Sequence, residues 1–421
     1  MNIPPGLPAN PTMRDITRWS ERMRTRGLPI CVCAQGTIDI PGPSILLEKL
    51  FVDAARDNAA HRYPPQVGLR ELREAVIRHL LEKERIATDL RVEGVGESPL
   101  AGNNLLICSG VNGGFIAALH FIKEKFGPEA KCGLLDPSYL YHDLDVMAVF
   151  GEGAVHLAPR EDLGIDRVEI EKALSTDKLK ALLVCNPANP HGLLLTEEEI
   201  HWLVEVTQRH GAFVLFDEIY AHIHEAGQSF KSALHVLRSL PEHVVVVRGW
   251  SKLLGLQGDR LACLIAHDKV LPSILRWHDV IYIGVNGVAQ QAMTQYLTHH
   301  APDLERHQRV LNQLIEENTR VLAPAFEQAL GWKLIQGPRT GRSTIYRMLQ
   351  HDRATDMEAL LTGLQRGVAA APGNIFYGPS GANPFTGARV PSTGMVRLSL
   401  AMPLAAVKAG AQQLLSGEHL F

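Results

Sequence analysis

The stretch Arg248-Gly249-Trp250-Ser251-Lys252-Leu253-Leu254-Gly255-Leu256-Gln257-Gly258-Asp259-Arg260 lies between two short apolar runs, residues 244–247 and 261–266. Short apolar runs of this kind predict buried strands. Lys252 therefore follows a predicted strand end, which is where open α/β sheets place their chemistry. A lysine amine forms Schiff bases, and its pKa falls when it is desolvated or lies near other cations. Lys252 is thus a candidate catalytic residue, although a surface lysine in a loop accounts equally well for this stretch alone.

Strand-like and helix-like segments alternate along the chain before this stretch. Helical patterns cover residues 115–126 and 196–210, and the second begins with a capping box formed by Thr196 and Glu199. Alternation of this kind predicts an α/β fold with a parallel sheet and right-handed crossovers. The predicted strands cover residues 105–108, 132–135, 154–158, 179–185 and 212–216.

Polar side chains follow three of these predicted strands. Tyr139 comes shortly after the strand at 132–135, Asn189 after the strand at 179–185, and Asp217 and Tyr220 after the strand at 212–216. The carboxyl ends of parallel strands meet at one edge of a sheet, so a carboxylate, an amide and phenols should gather there with Lys252. Such a set predicts a pocket for a flat, phosphorylated, nitrogen-bearing ligand attached to lysine.

A turn of small residues, Ser109-Gly110-Val111-Asn112-Gly113-Gly114, joins the strand at 105–108 to the helix at 115–126. The free N–H groups and the dipole of a helix N-terminus favour a phosphate. The turn is neither a Walker A loop nor a Gly-x-Gly-x-x-Gly fingerprint. A plain tight turn accounts for the local pattern equally well.

Composition and charge are those of an ordinary soluble protein. The chain has 421 residues and a net charge of −3 with both signs dispersed, so we expect no nucleic-acid and no membrane partner. The six cysteines are interpreted as buried free thiols in a reducing, cytoplasmic location. We expect no metal: Cys31-Val32-Cys33 has no second pair at zinc-site spacing, and His222-Ile223-His224 is interpreted as solvent-facing strand residues.

A chain of this length predicts more than one domain. We expect a large domain at residues 51–300 and a smaller α+β domain at residues 301–421, which begins with a long charged helix at 303–330. The N-terminal segment, residues 1–50, lies outside the alternating region and is expected to join the smaller domain.

Six motifs occur in an order that resembles a known family. They are Tyr63 with Gly68-Leu69-Arg70-Glu71-Leu72, the turn at 109–114, Asn186-Pro187-Ala188-Asn189-Pro190-His191-Gly192, Asp217-Glu218-Ile219-Tyr220, Ser251-Lys252 with Arg260, and Arg397-Leu398-Ser399. Together they resemble the class I/II aminotransferases, which are pyridoxal 5'-phosphate (PLP) enzymes of fold type I. The resemblance covers residues 36–397 and implies a large domain with a mainly parallel sheet flanked by helices, plus the smaller α+β domain.

The resemblance implies roles around the PLP ring. Lys252 is expected to bind PLP as a Schiff base and then to carry a proton at the substrate α-carbon. Asp217 is expected to pair with the pyridine nitrogen, which makes the ring an electron sink. Asn189 and Tyr220 are expected to hydrogen-bond the phenolic oxygen of the ring, and Tyr139 to stack on its face.

Further roles concern the phosphate and the substrate. The phosphate is expected at the turn of Gly110, Val111 and Asn112, with Ser251, with Arg260 and with Tyr63 of a neighbouring subunit, so a homodimer is implied. Arg397 is expected to bind the substrate α-carboxylate, aided by Asn189 and the Gly36 backbone.

Several positions depart from the family pattern. Gly249 stands where many members have a phosphate-binding serine or threonine, and His191 replaces a threonine. Gly341-Arg342-Ser343-Thr344 replaces a Gly-Gly-aromatic stretch. The loop at residues 374–396, with Tyr377, Asn383, Phe385 and Arg389, is long and is either a surface excursion or a lid.

The fold leaves the reaction open. The leading hypothesis is amino transfer between an amino acid and a 2-oxo acid, in specialised biosynthesis. The alternative is β/γ-elimination or replacement of the 1-aminocyclopropane-1-carboxylate synthase type, with S-adenosylmethionine as a candidate substrate. A binding protein or regulator without turnover is disfavoured because Lys252, Asp217 and Arg397 are all present.

Overall fold

A computed structural model describes residues 3–8, 11–92, 103–176, 178–378 and 393–421. The strands of this part of the chain are β1 (Cys31–Val32), β2 (Leu105–Ser109), β3 (Lys131–Leu135), β4 (Val155–Leu157), β5 (Leu179–Cys185), β6 (Phe213–Asp217), β7 (Val244–Gly249), β8 (Leu261–Ala266), β9 (Lys333–Leu334), β10 (Tyr346–Gln350), β11 (Val368–Ala369), β12 (Ala371–Pro372) and β13 (Met395–Ser399).

The α-helices of the described residues are α1 (Met13–Thr25), α2 (Phe51–Arg56), α3 (Arg70–Arg78), α4 (Gly110–Phe126), α5 (Leu140–Phe150), α6 (Arg167–Leu174), α7 (Glu197–Arg209), α8 (Ala233–Val236), α9 (Leu271–Tyr282), α10 (Gly287–His299), α11 (Ala301–Leu330), α12 (Asp356–Gln365) and α13 (Leu404–Ser416). The remaining helical segments are short. Two are π-helical, Ile45–Leu50 and His79–Lys83, and two are 3₁₀ turns, Asn58–His61 and Gly373–Phe376.

The largest sheet has seven strands in the order β2-β8-β7-β6-β5-β3-β4. Strand β8 pairs antiparallel with both of its neighbours, β2 and β7, whereas the neighbouring pairs from β7 to β4 are parallel. Sequential parallel strands need crossover connections, which helices such as α5 and α7 supply. The predicted α/β class, with a mainly parallel sheet flanked by helices, is confirmed.

Both faces of this sheet are covered. Leu105 and Ile107 of β2 belong to one hydrophobic cluster, while Leu106 and Cys108 belong to another. Successive strand residues point to opposite faces, so this division places apolar cores on both sides of the sheet. One core contains residues of α4, and the other contains residues of α7, α10 and α11.

The start of α4 differs from the sequence-based prediction. The small-residue turn expected before a helix at 115 is itself helical, because α4 begins at Gly110. Gly110 has a φ of 66°, a left-handed value that glycine adopts without the Cβ penalty of other residues. Strand β2 therefore passes directly into the helix, and the helix N-terminus lies at the strand end.

A second, four-stranded sheet has the order β12-β13-β10-β9, and β1 pairs in parallel with β11. Helix α1 packs through Ile16, Trp19 and Met23 on a cluster that includes Leu360 and Leu364 of α12. The N-terminal segment thus contacts the part of the chain that carries the second sheet. The domain limits given above stay a prediction.

The described cysteines are all free, and five of the six are buried, as the sequence predicted. Among the described residues, no helix combines the length and the apolar character that crossing a membrane requires.

Candidate active site

The Asp217 carboxylate lies at the carboxyl end of β6, in the middle of the large sheet, and is buried. Its Oδ1 accepts a hydrogen bond from the Ile219 N–H at 3.0 Å, and its Oδ2 lies 2.9 Å from Nε2 of His142. His142 is also buried, on helix α5. The sequence motifs did not indicate His142, because helix α5 carries no local signal that connects it to β6.

The Lys252 amine follows β7 and donates to the Gly36 carbonyl at 2.5 Å, across 216 residues of sequence. Gly36 itself is in close contact with the second sheet, because a Cβ at this position would lie 1.8 Å from the Tyr346 hydroxyl. The structure therefore brings Lys252, Gly36 and Tyr346 together. Tyr346, on β10, is a second site residue that the sequence did not indicate.

Two tyrosines meet beside Lys252. The hydroxyl of Tyr220 donates to the hydroxyl of Tyr346 at 3.1 Å, and both side chains are buried. Burial raises the pKa of the Tyr220 phenol well above its ordinary value, so this group is protonated at neutral pH and can donate a hydrogen bond. Tyr139 packs edge-on against His142, with ring centroids 5.2 Å apart.

The guanidinium of Arg397 on β13 is buried between two aromatic rings. Its central carbon lies 4.0 Å from the centroid of Tyr346 and 4.6 Å from that of Phe376. Nη1 donates to Oδ1 of Asn189 at 3.0 Å, and Nη2 donates to the Ala34 carbonyl at 2.8 Å. Among the described residues, Nε of Arg397 has no hydrogen-bond partner, and no carboxylate forms an ion pair with this side chain.

The N-terminus of α4 faces Arg260. The Gly110 N–H donates to the Arg260 carbonyl at 2.9 Å, and a Cβ on Gly110 would collide with the Arg260 guanidinium. Val111 and Asn112 lie in the first helical turn, where N–H groups have no intrahelical acceptor. The Asn112 side chain instead donates to Asp145 at 2.9 Å. A guanidinium at the positive end of a helix dipole is unfavourable by itself, so this arrangement favours an anion.

Some of the residues expected to bind the cofactor phosphate or to belong to the long loop lie near Lys252, and others do not. Ser251 is buried beside Lys252. Tyr63 is 86% exposed and lies outside the group that the single chain assembles. Three residues of the long loop, Asn383, Phe385 and Arg389, lie outside the described residues, whereas Tyr377 is described and contacts Met395.

A cavity of about 480 Å³ opens in front of Lys252 and Arg397. Tyr139, Tyr141, Tyr346 and Phe376 form aromatic walls, and helix α1 closes the outer side with Arg14, Thr17, Arg18 and Glu21. Arg14 donates to the Tyr141 hydroxyl at 3.0 Å. The cavity therefore joins the sheet-end residues to the N-terminal helix.

The departures from the family pattern have structural explanations. A Cβ at Gly249 would lie 2.9 Å from Ile219 and 3.1 Å from Val111, so there is little room for a serine or threonine. Arg342 pairs with Glu225 at 3.0 Å rather than lining the cavity. This ion pair gives the stretch at residues 341–344 a structural role.

His191 is buried, and burial lowers its pKa to about 4, so the imidazole is neutral. It lines a small cavity together with Asp136, His142 and Asn189. His191, which replaces the threonine of the family pattern, therefore lines this small cavity and not the cavity that contains Lys252.

The interpretation of His222 and His224 as solvent-facing strand residues is wrong. Neither belongs to a strand of the sheets; His224 forms an isolated bridge with Ser343, and both side chains are half-buried. The apolar Ile223 between them is fully buried, so this segment packs against the core instead of facing solvent. His222 lies beside His79 and Glu84.

The buried groups fit PLP. Nδ2 of Asn189 is buried without a hydrogen-bond partner among the described residues, although its Oδ1 is engaged, so the amide can donate to a ligand oxygen. The Lys252 amine, the Asp217 carboxylate and the anion-favouring end of α4 supply the three chemistries that the aldehyde, the ring nitrogen and the phosphate require.

Comparison with known proteins agrees with this geometry. The family model "Aminotransferase class I and II" matches residues 46–414. A putative aminotransferase, YugH, from Bacillus subtilis is 26% identical over 324 residues, which cover 76% of this chain and 77% of the relative. The methionine aminotransferase of Escherichia coli is 26% identical over 299 residues, which cover 69% of this chain and 72% of the relative.

Solved structures show the same fold. The aspartate aminotransferase from Thermus thermophilus with maleate has a TM-score of 0.78 at 19% identity, with 96% of each chain covered. The structure of YbdL from Escherichia coli, whose title reports a methionine aminotransferase function, also has a TM-score of 0.78, at 20% identity and with 99% and 100% covered. Because the family model matches most of this chain, the chain belongs to the class I and II aminotransferases, which are PLP-dependent enzymes.

Proposed function

We propose that the enzyme transfers the amino group of an α-amino acid to a 2-oxo acid. The observation that carries the proposal is Arg397, a buried guanidinium that faces the same cavity as Lys252 and has no carboxylate partner among the described residues. A buried charge without a counter-ion is costly, so a ligand carboxylate is expected to pair with it. Both the amino acid and the oxo acid carry a carboxylate next to the reacting carbon.

We assign the chemistry at that carbon to Lys252. Bound PLP supplies an electron sink for the bond that breaks at the substrate α-carbon. Lys252 holds the cofactor and then, once free, moves a proton at that carbon, since its amine lies in the cavity that Arg397 faces. Asp217 holds a proton on the pyridine nitrogen, and His142 orients Asp217 through the 2.9 Å contact.

The remaining contacts of the cofactor follow from the same geometry. Asn189 donates to its phenolic oxygen, Tyr220 does so when its hydroxyl hydrogen turns from Tyr346 to the cofactor, and Tyr139 covers the ring. The first turn of α4, Ser251 and Arg260 bind the phosphate. These assignments are supported by the unpartnered Nδ2 of Asn189 and by the guanidinium held at the helix N-terminus.

We further propose that the substrate side chain extends toward helix α1. That wall of the cavity carries two guanidinium groups, Arg14 and Arg18, against one carboxylate, Glu21. This balance favours a side chain with an anionic or polar end, and the aromatic walls favour apolar contacts along its length. Relatives of the chain include the methionine aminotransferase of Escherichia coli and an aspartate aminotransferase of Pyrococcus abyssi, whose names cover both kinds of side chain. A specialised biosynthetic role remains part of this proposal.

We also propose a cytoplasmic homodimer. Tyr63 is 86% exposed, and the neighbouring Val280 and Ile283 are 72% and 61% exposed. A Cβ at Gly284 would lie 3.3 Å from Pro64, and Gln66 donates to Asp279, so these residues belong to one surface. An exposed apolar surface of this kind supports an interface between protein chains.

The experiment that tests the proposal mixes the PLP form of the enzyme with a panel of amino acids and follows the cofactor spectrum. Conversion to the pyridoxamine form, with release of the matching 2-oxo acid, supports transamination. Oxo-acid or cyclic product without net conversion of the cofactor supports elimination or replacement and contradicts the proposal. Borohydride reduction followed by peptide mapping checks whether Lys252 is the attachment site.

A further inference from the structure

Three side chains outside the active site point toward one another: His79, Glu84 and His222, hereafter the His79 cluster. His79 begins the helical turn after α3, Glu84 follows that turn, and His222 lies two residues after Tyr220. Their side chains are 15%, 13% and 25% exposed. Neither histidine is required by the chemistry proposed for Lys252.

The distances in the His79 cluster are unusual for hydrogen bonds. Oε1 of Glu84 lies 3.6 Å from Nε2 of His79 and 3.4 Å from Nε2 of His222. Both separations exceed the usual range of an N–H···O hydrogen bond, which is about 2.7–3.2 Å. Ligands that are about 2.0–2.1 Å from a tetrahedral zinc ion lie about 3.3 Å apart. One ligand atom from each residue lies within 4.8 Å of the other two, so small side-chain adjustments would let the three share one ion.

The ligand types suit a cation. A histidine binds a metal through a neutral imidazole nitrogen, and a glutamate binds it through an ionised carboxylate oxygen. The His79 cluster therefore offers two nitrogen ligands and one oxygen ligand.

Arg248 fixes the carboxylate of the His79 cluster. Its Nη1 donates to Oε2 of Glu84 at 2.5 Å, and its Nε donates to Oε2 of Glu218 at 2.7 Å. Oε2 of Glu84 is thereby engaged, and Oε1 is turned toward the imidazoles. Two carboxylates and one guanidinium leave a net charge of −1 with neutral histidines, so a divalent ion is electrostatically favoured.

There is also room for one more ligand. A cavity of about 30 Å³ is bounded by His79, Glu84, His222 and Arg248. A single water molecule needs at least roughly 10–15 Å³ of such volume. The cavity can therefore hold one ion or water next to the three protein ligands.

We infer that the His79 cluster is a site for a divalent first-row transition metal such as Zn²⁺, held by Nε2 of His79, Nε2 of His222 and Oε1 of Glu84. Two imidazoles and one carboxylate are a ligand set that Zn²⁺, Co²⁺ and Fe²⁺ share. The ion would connect the segment after α3 to the segment after Tyr220. This site is independent of the proposed transamination.

The test uses the tag-free holoenzyme, freed of metal with a chelator and desalted. It is titrated with Co²⁺, followed by visible absorption, and then with Zn²⁺ in competition. The variants are His79→Gln and His222→Gln. His224→Gln is the matched control, because His224 is two residues from His222 and its Nδ1 faces a backbone carbonyl outside the cluster.

We expect each chain to bind one Co²⁺ tightly and Zn²⁺ to displace it. The affinity for Co²⁺ should fall by more than about 100-fold in His79→Gln and His222→Gln and should be unchanged in His224→Gln. Loss of a direct ligand should exceed the roughly 10- to 100-fold effect of losing a residue that only hydrogen-bonds a ligand. Zn²⁺ should also raise the Tm of the parent and of His224→Gln. Absence of a one-to-one site in the parent, or equal binding by parent and both ligand variants, overturns the inference. If one ligand variant does not fold, the other variant and the parent stoichiometry still decide.

Discussion

Nε2 of His142 lies 2.9 Å from Oδ2 of Asp217, and each side chain is only 3% exposed. The contact joins helix α5 to the end of β6, 75 residues apart in sequence. It leaves Oδ1 of Asp217 bound only to the Ile219 N–H among the described residues. A carboxylate held by neighbours in a dry site keeps its orientation during a reaction, which is the basis of electrostatic preorganisation.

The first prediction is that Asp217→Asn keeps PLP bound but lowers kcat by about 100- to 1000-fold, because a neutral amide cannot hold a proton on the ring nitrogen. Turnover and the cofactor absorbance are measured on the same samples. Asp145→Asn is the control: this buried carboxyl, whose pKa burial raises to about 7, hydrogen-bonds Asn112. Asp145→Asn should lower kcat by less than about tenfold. Near-parental turnover in Asp217→Asn would remove Asp217 from the assigned role.

Much of the candidate site could be predicted from sequence because its residues follow strand ends. Asp217, Tyr220, Asn189 and Lys252 all come just after apolar runs that form neighbouring strands of one sheet. Because these strands are neighbours and parallel, the four residues lie at the same edge of the sheet, and the length and course of the connecting segments do not change this. This is why local patterns were enough to place these residues at one edge of the large sheet, while their roles toward the cofactor stay a prediction.

His142 and Tyr346 were missed for the opposite reason. His142 lies within a helix, and Tyr346 lies on a strand of the second sheet, 126 residues from its hydrogen-bond partner Tyr220. Their positions depend on how the two sheets and helix α5 pack, and no local periodicity encodes that packing. The interpretation of His222 failed similarly, since His222 packs beside His79 and Glu84, which follow α3 and are distant in sequence.

The second prediction concerns His156, which lies between two carboxylates. Nδ1 of His156 is 2.8 Å from Asp136, and Nε2 is 3.3 Å from Asp143. Burial alone would lower the pKa of His156, but these contacts outweigh burial and raise it to about 9. The stabilisation is therefore complete below about pH 6.5 and is lost as the pH rises toward 9.

We expect His156→Gln to lower the free energy of unfolding by on the order of 3 kcal/mol at pH 6, with the difference from the parent shrinking by pH 9 and above. Urea denaturation at several pH values measures it. His243→Gln is the control. Because burial lowers the pKa of His243, the contribution of His243 to the free energy of unfolding does not decline between pH 6 and 9. A constant difference between His156→Gln and the parent would contradict the ion-pair interpretation.

The third prediction concerns assembly. The enzyme should sediment as a dimer or larger, and Tyr63→Phe should weaken PLP binding roughly 10- to 100-fold, the range expected for a hydrogen bond to a charged group. Equilibrium dialysis of PLP measures the affinity. Tyr296→Phe is the control, since its hydroxyl donates to Asp303 away from the cavity. A fully active monomer would refute both the dimer and the role of Tyr63.

The last prediction concerns Arg397, which belongs to the second sheet, whereas Lys252 follows strand β7 of the large sheet. The Arg397 guanidinium lies between the rings of Tyr346 and Phe376, and its fork is oriented by Asn189 and Ala34. A lysine ammonium cannot reproduce a planar fork that binds a carboxylate through two parallel hydrogen bonds. Arg397→Lys should therefore lower kcat/KM for α-amino acids by on the order of 2–4 kcal/mol, or roughly 30- to 900-fold, with PLP still bound.

Amines without a carboxylate separate this role from a general loss of structure, because they should react with Arg397→Lys about as well as with the parent. Arg347→Lys is the matched control. Arg347 is buried on the neighbouring strand β10, but its guanidinium pairs with Glu225 at 3.0 Å, so its replacement should lower stability without changing the preference for amino acids over amines. If Arg397→Lys uses α-amino acids as well as the parent does, the substrate is not bound through its carboxylate at Arg397. The amino-acid assignment would then have to be abandoned.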